Sequence, residues 1–231
     1  MSVGYINLAT YKVFSYGKIN STQTVAHNFI ADGAGADHIA IVADTQTAGR
    51  GRYRRNWVSK PGNLYVSFIY ECAERDPRMS YAVAVAMAET VNDAGANARI
   101  KWPNDILVDG KKIAGVLIEY NARFVVVGIG INIKHSPRVE KYQTAKLSDY
   151  GDADRNCVLG VLMRKLDRWL RADFVDVRAR WMELAVGLSR DVTYRGMSAE
   201  LIGINDAGAL VLRRGAEYVL AYGDEITMQK P

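Results

Sequence analysis

Residues 106–133 read ILVDGKKIAGVLIEYNARFVVVGIGINI. β-Branched and aromatic residues fill this stretch, and Asp109-Gly110 suits a two-residue hairpin turn in which both residues take positive φ. The pattern predicts three consecutive strands paired as an antiparallel meander. Upstream, apolar residues alternate at Ile39 and Ile41 and again at Leu64, Val66 and Phe68, giving two further strands with one buried face each. Ser80 is placed to cap a helix running to about Asn92, ended by Gly95, and a second helix is expected to begin near Thr22. From Cys157 to about Val186, Leu159, Leu162, Leu166, Trp169, Val177 and Trp181 recur at helical spacing and predict one or two amphipathic helices over the sheet. After Gly187 the chain changes to short strand-like runs separated by Asn205-Asp206 and Gly223-Asp224, the pattern of a small β-barrel module. The fold class expected is therefore α+β: a mixed, largely antiparallel sheet covered by helices in residues 1–187, and a β-barrel in residues 188–231.

The chain has 231 residues, 49% of them hydrophobic, which is enough for one substantial core without disulfide staples. Cys72 and Cys157 are far apart and have no zinc spacing, so a reducing cytoplasm is the simplest setting. Asn7 and Lys12 interrupt the N-terminal apolar run, which argues against a signal peptide, and no window has the length of a membrane span. Thirty basic against twenty-five acidic side chains give +5. That balance permits nucleic acid, an acidic protein or phosphates as partners and does not choose among them.

The distribution of charge says more. Between the two upstream strands lie residues 46–62, a connection longer than compact domains leave without purpose. It contains GRGRYRRNW, residues 49–57, with Arg50, Arg52, Arg54 and Arg55 close together. Glycines let backbone N–H groups converge on an anion, and guanidinium forks bind carboxylate or phosphate in pairs. Trp57 can stack on a base or close an apolar pocket. A small-molecule anion site, a nucleic-acid contact and a solvated basic loop all remain open on this segment alone. Lys101 leads the turn at Trp102-Pro103 and can act as a fixed ammonium at a developing charge, although a strand-end lysine often only faces water. Gly128 and Gly130 fall within strand pattern, marking a bulge or a close approach; no helix follows at the spacing of a dinucleotide fingerprint. Asn132 can read an adenine edge or serve structure alone. Ser21-Thr22 suit an N-cap, and Gln46 can bond a polar heterocycle or water. His27, His38 and His135 are scattered and carry no expected metal or nucleophile chemistry.

Taken in order, NSTQ (20–23), ADTQTAGRGRYRRNW (43–57), KWPNDILVDGKKIAGVLIE (101–119) and GIGIN (128–132) resemble the catalytic domain of biotin–protein ligases. The resemblance spans about residues 12–186, and the module after Gly187 is similar to that family's C-terminal SH3-like domain. It implies biotinyl-5′-adenylate formation from biotin and ATP, with Mg2+ accompanying the ATP, followed by transfer to a lysine of a carboxylase's biotin carboxyl carrier domain. By position it implies that Ser21, Thr22, Gln46 and Gly49 serve biotin, and that Gly115 lets the sheet approach it. Arg50 and Arg52 would meet the carboxylate and α-phosphate, and Arg55 the ATP phosphates. Lys101 would bridge both anions, Trp57 would cover the adenylate and Asn132 would contact adenine, with Lys101 and Arg52 as the catalytic pair. Three positions depart from the family pattern: Arg54 where a loop glycine is usual, Asn56 where a basic residue is common, and Gln23 in place of Asn. About a dozen residues precede the catalytic block, which leaves no room for a winged helix and suggests a monofunctional, cytoplasmic enzyme without DNA or membrane partners. Homodimers occur in the family. The positive charge is expected to steer an acidic carrier domain.

Overall fold

The computed structural model describes residues 4–8, 11–33 and 37–228. Eight strands form the main sheet: β1 (Gly4–Leu8), β2 (Tyr11–Ile19), β3 (Ile39–Gln46), β4 (Leu64–Glu71), β5 (Ala98–Lys101), β6 (Asp105–Val108), β7 (Lys111–Asn121) and β8 (Phe124–Ile131). Their order is β1-β2-β3-β4-β8-β7-β6-β5. Only the β2–β3 pair is parallel, and helix α1 (Thr22–Ala31) makes its crossover. The expected meander is β6-β7-β8, and Asp109 and Gly110 at φ 51° and 74° form its first turn. The strands β1, β2 and β5 were not anticipated; β1 and β5 are runs of four or five residues that carry too little periodicity, while the nine-residue β2 was not read as a strand at all.

Strand alternation divides the side chains between two layers. Ile39, Ile41, Ile69 and Val126 point to one face and pack under Ala26 of α1. Ala40, Val42, Val66, Phe68, Val125 and Val127 point to the other, where α2 (Met79–Asp93) leads a helical layer completed by α3 (Arg155–Leu170) and α4 (Phe174–Leu184). Helix α2 is buried almost all round, as befits a helix between a sheet and two others. Ser80 is not its cap: the helix begins one residue earlier, and Ser80 Oγ donates to the Pro77 carbonyl at 2.7 Å. Asp154 does cap α3, accepting from the N–H groups of Asn156 and Cys157.

Beyond α4, β9 (Asp191–Tyr194), β10 (Met197–Ile204), β11 (Leu210–Arg214), β12 (Glu217–Ala221) and β13 (Ile226–Met228) pair antiparallel in the order β12-β11-β10-β9-β13. Where a closed barrel was expected, no ladder joins β12 to β13 among the described residues, so this sheet is open. Its buried side chains Val192, Leu201 and Leu212 continue the main core.

Candidate functional site

Helix α1 covers only part of its face of the sheet. Past its N-terminus, two rows of cross-strand partners form the floor of a cavity of about 130 Å³. One row is Ser67–Gly128–Leu117; the other is Tyr65–Gly130–Gly115–Asp105–Lys101. Residues opposite one another in a ladder share a face, so these side chains project into one cleft. The glycines leave room at its centre for other side chains. A Cβ on Gly130 would lie 2.5 Å from Trp57 Cε2, and one on Gly115 would lie 3.1 Å from Trp57 Cζ3, so the indole rests directly on the sheet backbone. A Cβ on Gly128 would meet Gln23 Oε1 at 2.5 Å.

The two ends of the cleft differ in chemistry. At one end the N-terminus of α1 brings Ser21, Thr22 and Gln23 against β4. Gln46 Oε1 accepts from the Thr22 N–H at 2.8 Å, and Gln46 Nε2 donates to Ser59 Oγ at 2.9 Å. Ser67 Oγ lies 2.8 Å from Thr22 Oγ1 and 2.9 Å from Gln23 Oε1. Ser21 occupies the N-cap position but makes no side-chain cap bond, its place toward the helix being taken by Gln46. This end is polar and uncharged. At the other, four cations (Arg52, Arg55, Lys101, Lys112) and two carboxylates (Asp105, Glu225) line the wall, while Arg50, also in the wall, turns its guanidinium to Glu119 beside His27 of α1. Such a cleft fits a ligand with a neutral hydrogen-bonding ring at one end and clustered negative charge at the other.

Lys112 is the residue that sequence reasoning missed. Strict alternation from Gly115 would turn it away, but register shifts between Ile106 and Leu107, so Asp105 faces Gly115 while Leu107 faces Lys112. This bulge re-aims the side chain. Lys112 Nζ comes within 3.4 Å of where a Gly115 Cβ would stand, bonds Asp105 at 2.6 Å and sits 5.4 Å from the Trp57 ring centroid. Its side chain is only 15% exposed. Lys101 also lines the cleft, at the far end of the Gly115 row. Other wall residues not assigned from the sequence include Gln23, Tyr65, Ser67, Leu117, Tyr142 and Glu225.

The arginine loop folds over the cleft. A 3-10 turn at Arg52–Arg54 puts Tyr53 and Arg54 at φ 54° and 59°, so Arg54 does take the left-handed conformation natural to glycine. The C-terminal sheet holds the loop down. Arg55 pairs with both Glu225 oxygens at 2.8 and 3.2 Å, Tyr53 donates to the Gly223 carbonyl at 3.1 Å, and Arg52 donates to that carbonyl too. The hydrogen bond to Glu225 raises the already high Arg55 pKa. Arg52 also reaches Asn104 Oδ1 at 3.3 Å, and Arg50 reaches Glu119 at 3.1 Å. Burial alone would raise the Glu119 carboxyl; hydrogen bonds from His27 and Gln23 and the nearby Arg50 charge outweigh it and hold it below its usual range.

Two assigned residues lie outside the cavity wall. Gly49 is buried beneath the loop, where its carbonyl accepts from the Trp57 N–H at 2.9 Å. Asn132 is 2% exposed and donates to the Ala145 carbonyl at 3.0 Å, while its Oδ1 has no partner. Trp57 Nε1 is likewise buried and unpartnered. Ser21, Thr22, Gln46, Arg50, Arg52, Arg55, Trp57, Lys101 and Gly115 all line the one cleft.

Residues 16–135 match the family model described as Biotin/lipoate A/B protein ligase family. The chain belongs to that family. It is 30% identical to the bifunctional ligase/repressor BirA of Bacillus subtilis (strain 168), over 91% of this chain and 72% of that protein. It is 31% identical to the biotin–[acetyl-CoA-carboxylase] ligase of Mycobacterium tuberculosis, over 85% of this chain and 81% of that protein. A solved biotin protein ligase from Aquifex aeolicus, in complex with biotin and ATP, has the same fold at a TM-score of 0.84, with 24% identity over 95% of this chain and 99% of that one. Within the biotin/lipoate ligase family, the matched region carries α1, the arginine loop and all three glycines of the cleft floor.

Proposed function

We propose that this protein joins biotin to ATP as biotinyl-5′-adenylate and passes biotin to a specific lysine of a biotin carboxyl carrier domain. The observation that carries the reading is the cleft itself, polar and neutral where α1 begins and cationic where Lys112, Lys101, Arg52 and Arg55 line the wall. A ureido ring suits the first end, and a carboxylate meeting a phosphate suits the second. In the first step a biotin carboxylate oxygen bonds the α-phosphorus and pyrophosphate leaves. In the second the lysine nitrogen bonds the acyl carbon and AMP leaves with the electron pair of the broken C–O bond. The protein's own groups contribute charge and position: cations preorganised where two anions meet lower the cost of bringing them together.

Within this reading, Thr22, Gln46 and Ser21 face the ureido end and Gly115 admits the chain of biotin. Lys112, together with Arg52, stands where the carboxylate meets the α-phosphate, and Lys101 supports the same charge from the next strands. Trp57 covers the adenylate. The unpartnered Asn132 Oδ1 supports a place for the adenine amino group beside it, and Gly49 serves by letting the loop close. Mg2+ fits as a companion of the ATP phosphates, since both wall carboxylates already hold cations, Asp105 with Lys112 and Glu225 with Arg55. We assign residues 1–187 to the catalytic unit and residues 188–231 to an SH3-like module, open along one side.

Labelled biotin, ATP and a carrier domain test this directly. Biotin-dependent pyrophosphate exchange and covalent transfer are expected, with lipoate inactive; exchange driven by lipoate instead would reverse the assignment. Lys112→Ala and Arg52→Ala are each expected to lower exchange about a hundredfold or more, the scale of removing one preorganised charge-stabilising group. Near-normal exchange in either variant would remove that residue from the reacting centre.

A further inference from the structure

A second cavity, of about 360 Å³, lies between the main sheet and the C-terminal one, and it shares Arg52, Asn104 and Val116 with the first. Its inner wall is carbon, built from Pro77, Tyr81, Trp102, Pro103, Ile118 and Tyr120. The polar atoms of those rings are already used by the framework. Trp102 Nε1 donates to Tyr81 Oη at 3.1 Å, Tyr81 Oη donates to the Gly208 carbonyl at 2.9 Å, and Tyr120 Oη donates to the Asp76 carbonyl at 2.8 Å. A nucleotide base or phosphate would find few free partners along this wall. An aliphatic stem would find contact throughout.

The outer rim points to a protein. Tyr222 lines the cavity and is 54% exposed; on β12, which ends one residue before it, Leu220 at 49% and Tyr218 at 64% share one exposed side of the strand. Among the described residues, strand β12 is an edge of its sheet and pairs only with β11. An edge strand with an exposed apolar row is a template for pairing with another chain. This row leads from the surface to the cavity, and the cavity leads to Arg52 at the charged end of the cleft.

We propose that the second cavity is the sleeve through which the acceptor lysine reaches the adenylate, and that the strand carrying this lysine docks along β12. The proposal rests on the ligase reading above. A lysine has a flexible four-carbon stem ending in an amine; the apolar wall takes the stem and delivers the nitrogen at the shared boundary. There the Arg52 guanidinium disfavours a second positive charge, so the arriving amine is held in its neutral, nucleophilic form.

The two half-reactions separate the possibilities. Ile118→Trp fills the sleeve, and the double change Leu220→Ser with Tyr222→Ala strips the rim; none of these three positions lines the first cavity. Both variants are expected to keep biotin-dependent pyrophosphate exchange within about twofold of the parent and to lose about tenfold or more in transfer to a carrier domain. The rim variant should lose transfer through a raised KM for the carrier. Hydroxylamine, too small to need a sleeve, should cleave the bound adenylate at the parent rate in both. Carrier transfer within twofold of the parent in both variants would overturn the proposal. So would exchange falling in step with transfer, which would place the nucleotide in this cavity. If the parent protein shows no biotin-dependent exchange at all, the ligase reading fails first, and the two failures are distinguishable.

Discussion

Gly115 and Gly130 face one another across β7 and β8, and the Trp57 indole lies over both. Neither has positive φ, so only space calls for glycine there. Gly130→Ala therefore tests the floor without disturbing a turn. The added methyl would stand 2.5–2.6 Å from three indole atoms and push the ring away from the sheet. Overpacking of this kind costs about 1–3 kcal/mol, which corresponds to a loss of about fivefold to 150-fold in ligand affinity if the bound state needs the same ring position. Titration calorimetry with biotin, together with tryptophan fluorescence, reads both effects; parent-like affinity and an unmoved Trp57 signal would show that the close packing is dispensable. The two lysines make the same scale instructive. Lys101 was legible because a turn beginning with Trp102-Pro103 announces a fixed position. Lys112 was not, because alternation assigns it to the wrong face and nothing local in KKIAG signals the bulge that turns it back.

At the scale of elements, the meander was legible from alternation plus Asp109-Gly110, and α3 and α4 from their 3.6-residue period. The arginine loop was legible as a site but not as a shape. Its conformation depends on Gly223 and Glu225, some 170 positions later in the chain, and no local pattern reports a partner that distant. Two effects are set against each other: Tyr53 and Arg54 are both held at positive φ, while Arg55 pairs with Glu225. Each left-handed non-glycine residue costs about 1–2 kcal/mol; against the two, the half-exposed bidentate ion pair returns about 0.2–1 kcal/mol and the hydrogen bonds of Arg52 and Tyr53 to the Gly223 carbonyl about 0.5–1.5 kcal/mol each. The closed loop is thus finely balanced, and substrates that bind its arginines should tip it. Glu225→Gln is expected to speed tryptic cleavage within residues 50–55 about two- to fivefold, following the lost pairing energy through local opening. Biotin with ATP should restore protection in the variant. Identical cleavage rates for parent and variant would show that Glu225 does not hold the loop.

At the scale of the whole molecule, the site stands on a sheet whose opposite face is braced by α2, α3 and α4, and one carboxylate ties those helices together. Glu89 on α2, 10% exposed, accepts from Lys165 at 3.3 Å and Trp169 Nε1 at 3.0 Å on α3, and from Arg180 Nε at 2.9 Å on α4. Asp93 and Glu183 stand beside those cations, bonding Lys165 at 3.2 Å and Arg180 at 2.6 Å. Burial by itself would raise the Glu89 pKa, but the bonds from Trp169, Arg180 and Lys165 outweigh it and the carboxyl is held below its usual value. The folded state therefore keeps the charge to lower pH than the unfolded chain does. The stability this confers is complete above the unfolded carboxylate value, about 4.3, and disappears as pH falls through the lower folded value. Glu89→Gln removes charge-assisted bonds worth about 1–3 kcal/mol together, or about 2–4 °C in Tm per kcal/mol for a chain of this size. Thermal melts should place the variant several degrees below the parent at pH 7, with the gap narrowing as pH drops from 5 toward 3. A gap that stays constant over that range would mean that the Glu89 charge does not brace the helical layer, and that the substitution acts through packing alone.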